Sequence, residues 1–253
     1  MQTAPLSDQC ISIILGSLLG DGSLALNKRY RNARFSFRHS IKQKDYFFWK
    51  MGLLEEISGD KNHWYQGLSS NVDGWGGPKL RFQSRALPQL TAVYKLTTKK
   101  GKKVVRRKWL NLMTPLSLAI WWLDDGSLTA NVRKGVLCTD GFSLKENKIL
   151  QQYLKIVWGV SSTLGESSTK HLGKSLQYYR LYIRSTEQLQ KLLSILLPFV
   201  KVESMLPKVL VLYKDSQLQE RWISKVVDLT GFSRDIVEKH VRERKSKLKA
   251  FRE

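Results

Sequence analysis

Two stretches of the chain are apolar at nearly every position: ISIILGSLLG, starting at Ile11, and LSLAIWWLD, starting at Leu116. Both fall well short of the roughly 18 apolar residues that a membrane-spanning helix needs, and each reads as a short helix. Ser7 is placed to cap the first, and Thr114, followed by Pro115 at the favoured first helical position, to cap the second. Both end on the same dipeptide, Asp21-Gly22 and Asp125-Gly126, with glycines suited to the left-handed residue that closes many helices.

The segments after the two helices repeat as well. Period-two alternation predicts paired strands at Ser23–Leu26 with Ala33–His39, and at Ser127–Asn131 with Gly135–Thr139. Ser40 with Gln43, and Ser143 with Glu146, read as capping boxes for amphipathic helices. A second strand pair comes next in each half, 62–66 with 79–84 and 161–166 with 176–184; Ser84 and Ser185 then open further helices. Finally, Lys103-Val104-Val105 echoes Lys208-Val209-Leu210. Ordered landmarks at offsets of 101 to 105 residues mark a duplication. The expectation is an α+β fold of two αββαββα units, 6–106 and 114–212, with a basic helical tail over 217–253.

Charge sharpens the picture. In 253 residues, 43 Lys and Arg face 21 Asp and Glu, a formal net charge of +22. Such an excess repels itself unless a polyanion balances it. No acidic residue occurs from Gly74 to Leu123. The candidate DNA contacts are Lys28, Arg29, Arg31, Arg34, Arg38, Arg81, Arg133, Lys134, Arg180 and Arg184, on or beside predicted strands whose alternate faces meet core and phosphate. Two distant cysteines, Cys10 and Cys138, and the absence of a signal-like N-terminus suggest a reducing, intracellular setting. Trp121 and Trp122 are expected in the core. His39, His63, His171 and His240 form no ligand pattern and are assigned to surface or packing. No P-loop or dinucleotide fingerprint is present.

Two equivalent units related by a pseudo-twofold suit the local dyad of duplex DNA. Gly16 and Gly20, spaced i, i+4, let the two apolar helices approach closely as the contact between halves. Asp21 and Asp125 then stand together at the negative ends of helix dipoles, a conflict that a hard divalent cation on oxygen ligands removes. Mg²⁺ is the expected ion, with Mn²⁺ able to substitute.

ILGSLLGDG (Ile14 to Gly22) and LAIWWLDDG (Leu118 to Gly126) resemble the two copies of the LAGLIDADG motif, and residues 6 to 212 resemble the single-chain, two-motif LAGLIDADG homing endonucleases. The resemblance implies a β-saddle over the major groove with central paired helices, and metal-dependent double-strand cleavage of a long, specific DNA site by a monomer. It implies metal binding by Asp21 and Asp125, with Gly20 and Asp124 contributing backbone carbonyls only. It also implies a lysine near the attacking water in each half, for which Lys103 and Lys208 are the choices. Pro207 and Arg106 depart from the usual neighbours of those lysines, and Ile120 is bulkier than the small residue usual at its place. Family members are encoded in organellar or microbial introns, and some are maturases that bind intron RNA. A maturase and a non-catalytic DNA-binding regulator are therefore the alternative functions. Beyond the duplication, VVDLTGFSRDIVEKHV (Val226 to Val241) resembles a helix-turn-helix, with Gly231 at the turn and Val237 and Val241 inward. It is read either as an added DNA contact or as a hairpin closing the core.

Overall fold

A computed structural model describes residues 4–67, 77–129, 131–171 and 174–251. The chain divides into two compact units between Trp121 and Trp122. In order, its elements are α1 (Asp8–Leu19), β1 (Ser23–Ala25), β2 (Arg34–Ser40), α2 (Lys44–Gly52), β3 (His63–Gln66), β4 (Lys79–Gln83), α3 (Pro88–Thr97), β5 (Thr98–Lys99), β6 (Lys102–Lys103), α4 (Arg107–Leu110) and α5 (Pro115–Asp125). There follow β7 (Gly126–Thr129), β8 (Lys134–Leu137), α6 (Leu144–Trp158), β9 (Thr163–His171), β10 (Lys174–Ile183), α7 (Thr186–Leu196), α8 (Ser216–Thr230) and α9 (Arg234–Lys247). Each unit carries an antiparallel four-stranded sheet of the same order, β1-β2-β4-β3 and β7-β8-β10-β9.

In the first unit, alternation along β2 sends Phe35, Phe37 and His39 into the core and leaves Arg34, Ser36 and Arg38 on the open side. Phe37 stacks on Phe82 of β4 and tilts against Phe47 of α2. Ser7 caps α1 by accepting from the Cys10 amide (3.1 Å), and Ser7 is itself tied to Glu56. Thr114 and Ser117 cap each other's amides at the start of α5 (3.3 and 3.1 Å), with Pro115 as the first helical residue. The first turns of α5 pack on α1: Thr114 donates to Ser12 (2.8 Å), and Gly16 faces the Ser117 carbonyl and Ile120. In the second unit, Leu181 and Ile183 of β10 are buried beneath α6 and α7, with Leu150, Leu154, Leu189 and Leu193. Trp121 and Trp122 are fully buried.

Several local expectations are corrected. Gly22 and Gly126 are not left-handed; the positive-φ glycines among the described residues are Gly101, Gly159 and Gly231. They are glycines for want of space, since a Cβ on Gly22 would press into Ser17 and one on Gly126 into the Trp122 ring. Ser40 forms no capping box: its hydroxyl accepts from the Lys42 amide and starts a single 3-10 turn before α2. Ser84 opens no helix either. Its side chain accepts from the Phe35 amide inside the sheet, and α3 starts later, with Pro88 in its first turn. The Ser143–Glu146 box is present in both directions (2.9 and 3.4 Å). Ser143→Ala therefore lowers stability by about 1 kcal/mol, or about 2–4 °C in melting temperature; calorimetry showing no change would mean that the cap contributes nothing.

The tail forms α8 and α9, joined through left-handed Gly231 (φ 80°), and Val237 and Val241 are buried as expected. Both helices belong to the second unit.

Candidate functional site

The end of α1 is built by backbone geometry. The Gly20 and Gly22 amides both donate to the Ser17 carbonyl (3.0 and 2.7 Å), so the chain turns sharply and delivers Asp21 to the surface with 41% of its side chain exposed. Its Oδ2 lies 3.3 Å from Nδ1 of His39, which the core-facing register of β2 holds beside it, packed on Phe37 and Tyr46. Lys103 arrives from the β5–β6 hairpin, whose two-residue turn, Lys100-Gly101, has positive φ at both positions, as such tight hairpins require. Its ammonium donates to the Leu18 carbonyl (2.5 Å) in the last turn of α1.

In the second unit, α5 runs through Asp125, whose carbonyl accepts from the Cys138 amide (3.0 Å) as the chain enters β7. Asp124 and Asp125 are half-buried. Lys208 donates to the carbonyls of Leu123 (2.5 Å) and Asp124 (2.9 Å). Both units thus repeat one device: an acidic residue at the C-terminal end of an apolar helix, and a lysine ammonium on that helix's last carbonyls. A cation there offsets the helix dipole, by about 0.3–1 kcal/mol at exposed sites. The lysines expected beside the attacking water are therefore found bonded to backbone. The Asp124 carbonyl, expected as a ligand, already accepts an ammonium, and Gly20 forms the cap of α1.

Sequence assigns His39 to packing; it does pack, and it also touches Asp21. The alternation of β2 carries the signal, because His39 shares the buried parity of Phe35 and Phe37.

The predicted DNA contacts line the open sheet faces and adjoining loops. Arg38 pairs across the ladder with Arg81, and Arg81 with Trp64, over whose ring its guanidinium lies (5.5 Å). Arg34 lies over Tyr30 (4.4 Å) and bonds Gln83 (3.1 Å). Lys28, Arg29 and Arg31 occupy the exposed loop between β1 and β2, and Arg133 and Lys134 the exposed start of β8. On β10 and just past its end, Arg180 lies over Tyr178 and Arg184 over Tyr182 (5.0 and 5.1 Å), an alternating aromatic–guanidinium row. Arg180 is held by Asp140 through two 2.7 Å bonds, which raise its pKa and fix its fork. No helix among the described residues is long and apolar enough to cross a membrane.

The chain belongs to the LAGLIDADG DNA endonuclease family, whose model matches residues 11–192. Protein RecA of Mycolicibacterium chitae is 36% identical over 172 residues, covering 63% of this chain and 38% of the relative, so the chain spans about two fifths of that relative's length. The cytochrome b mRNA maturase bI2 of Debaryomyces hansenii is 27% identical over 184 residues, covering 72% of this chain and 66% of the relative. The DNA endonuclease I-ChuI of Chlamydomonas applanata is 27% identical over 172 residues, covering 63% and 77%. Among solved structures, the homing endonuclease I-WcaI bound to its DNA recognition sequence matches with a TM-score of 0.69 at 21% identity, over 84% of this chain and 90% of that one, a likeness of fold.

Proposed function

We propose that the chain is a site-specific homing endonuclease that makes double-strand breaks in DNA by hydrolysing phosphodiesters with a divalent metal, Mg²⁺ in preference and Mn²⁺ as a substitute. The observation that carries this reading is the repeated device: Asp21 and Asp125 end the two motif helices, and Lys103 and Lys208 sit on the last carbonyls of the same helices. Asp21 and Asp125 offer hard oxygen donors at the negative ends of dipoles, a donor set that fits Mg²⁺. A bound divalent ion supplies charge neutralisation at the phosphate and a more acidic water. The two carboxylates would hold the ions, while the two lysines would keep positive charge at the helix ends and next to the scissile phosphates. The basic, aromatic-backed faces of the sheets bind the duplex: phosphate contacts set the register, and Arg38, Arg81, Arg180 and Arg184 reach base edges. A long specific site, action as a monomer, and an origin in an organellar or microbial intron belong to this reading.

A second reading, an intron-RNA maturase on the same scaffold, is favoured by one observation, the similarity to a cytochrome b mRNA maturase. Cleavage selection from a randomised duplex library in Mg²⁺ decides between them. The expected result is enrichment of one long site cut on both strands. Binding to that site should weaken about 10³-fold or more between 50 and 200 mM salt, as for a protein that neutralises six or more phosphates. No cut product in Mg²⁺ or Mn²⁺, together with tight binding of an intron RNA, overturns the nuclease in favour of the maturase.

A further inference from the structure

The lysine-bearing segments of the two units are held in different ways. In the first, Lys103 lies in the β5–β6 hairpin, whose strands fix it through the pairs Thr98↔Lys103 and Lys99↔Lys102; the next residue, Val104, donates its amide to the Thr97 carbonyl (2.9 Å). Trp109 adds one side-chain bond, from its indole N–H to the Val104 carbonyl (2.9 Å). In the second unit, Lys208 ends a 3-10 turn, Glu203–Lys208, interrupted by Pro207, and belongs to no strand.

Side chains take over there. The carbonyls of Pro207, Lys208 and Val209, three in succession, accept from the Arg244 guanidinium, the Trp122 indole (3.0 Å) and the Trp222 indole (3.1 Å). Two of the three donors come from the tail, Trp222 from α8 and Arg244 from α9. Gln219 of α8 continues the brace, accepting from the Tyr213 amide (3.0 Å) and donating to the Val211 carbonyl (3.3 Å). Arg244 is half-buried, and burial pushes its pKa down. Desolvating a guanidinium is costly unless it is hydrogen-bonded, and its partner is the carbonyl next to the lysine. The family match ends at residue 192, short of the turn and of both tail helices.

We propose that the α8–α9 hairpin is the positioning frame of Lys208, with Arg244 as its chief positioning residue: it replaces in the second unit the β-hairpin that aims Lys103 in the first. This rests on the nuclease reading for its effect on cleavage, but not for its effect on the segment itself.

The test therefore has two readouts. In hydrogen exchange, Arg244→Gln speeds the amides of Met205, Leu206 and Lys208 to Leu210, Pro207 having none, and leaves 98–104 unchanged. In nicking assays on the selected site, the same variant slows the cut of one DNA strand about 10- to 100-fold, the range a misplacement near 1 Å can produce, and leaves the other within about twofold. Arg244→Lys, which keeps a charged donor of longer reach than the Gln amide, falls between. Trp109→Phe, removing the N–H on the Val104 carbonyl, slows the opposite strand. Unchanged exchange at 205–210, or equal slowing of both strands, overturns the positioning role. If the parent cuts no DNA at all, the nuclease reading fails, and the exchange result alone decides the frame.

Discussion

Asp21→Asn and Asp125→Asn each abolish double-strand cleavage, by about 10³-fold or more, while the folded protein still binds its DNA site. The magnitude follows from the proposed role of a carboxylate beside a scissile phosphate: without its charge a divalent ion would not be retained, and with it would go neutralisation and water activation, each worth several kcal/mol. The amide keeps the size of the side chain, so packing at the helix end is preserved. Stability should rise slightly or stay level for Asp125→Asn, because a negative charge at the C-terminal end of a helix opposes the dipole, by about 0.3–1 kcal/mol where solvent does not screen it; for Asp21→Asn the weakened contact with His39 offsets that gain. Binding to DNA without metal should tighten, since an anion is removed from a surface that meets phosphates. This combination, activity lost with fold and binding kept, separates a metal ligand from a structural residue. The measurements are strand-resolved cleavage in Mg²⁺, thermal unfolding, and binding in the presence of chelator. Cleavage within tenfold of the parent in either variant would remove that aspartate from the metal site.

How far the sequence foretells these features depends on the range of the interactions that fix them. The motif helices, their caps at Ser7 and Thr114 and the box at Ser143 are set within a few residues, and each is present where local chemistry puts it. The strand pairs and the buried parity of β2 follow from period-two alternation, which survives any error at the strand ends. Ser40 caps only a 3-10 turn, without the reciprocal bond of a box, and Ser84 caps no helix because the Phe35 amide inside the sheet claims its hydroxyl. A left-handed φ explains neither Gly22 nor Gly126, whereas contact with Ser17 and Trp122 requires them, and such contacts have no local signature. The lysines are legible only by analogy with a motif. Their destination on helix carbonyls needs a hairpin in one unit and a tail in the other, pairings separated by 85 residues.

Gly16 is a place where the spacing does foretell the packing, and its substitution carries the second large effect. Gly16→Ala destabilises the protein by about 1–3 kcal/mol, lowering the melting temperature by roughly 2 to 12 °C for a chain of this size. A Cβ there meets the Ser117 carbonyl closer than van der Waals contact allows and comes within 2.9 Å of the Ile120 Cβ. Both belong to α5, whose backbone cannot withdraw without breaking its own hydrogen-bond ladder, so relief has to come from separating α1 from α5. That separation also loosens the Thr114–Ser12 bond and the buried contacts of Ile13 and Leu118. Gly52 is the control. It closes α2, and a Cβ there meets nothing within 4 Å, so Gly52→Ala only removes freedom from the unfolded chain and stabilises by about 0.4–1 kcal/mol. The same chemical change thus has opposite signs at two helical glycines. Denaturant titration of both variants reads the signs directly, and a Gly16→Ala protein as stable as the parent would mean that the α1–α5 contact yields and that backbone proximity is not what makes position 16 a glycine.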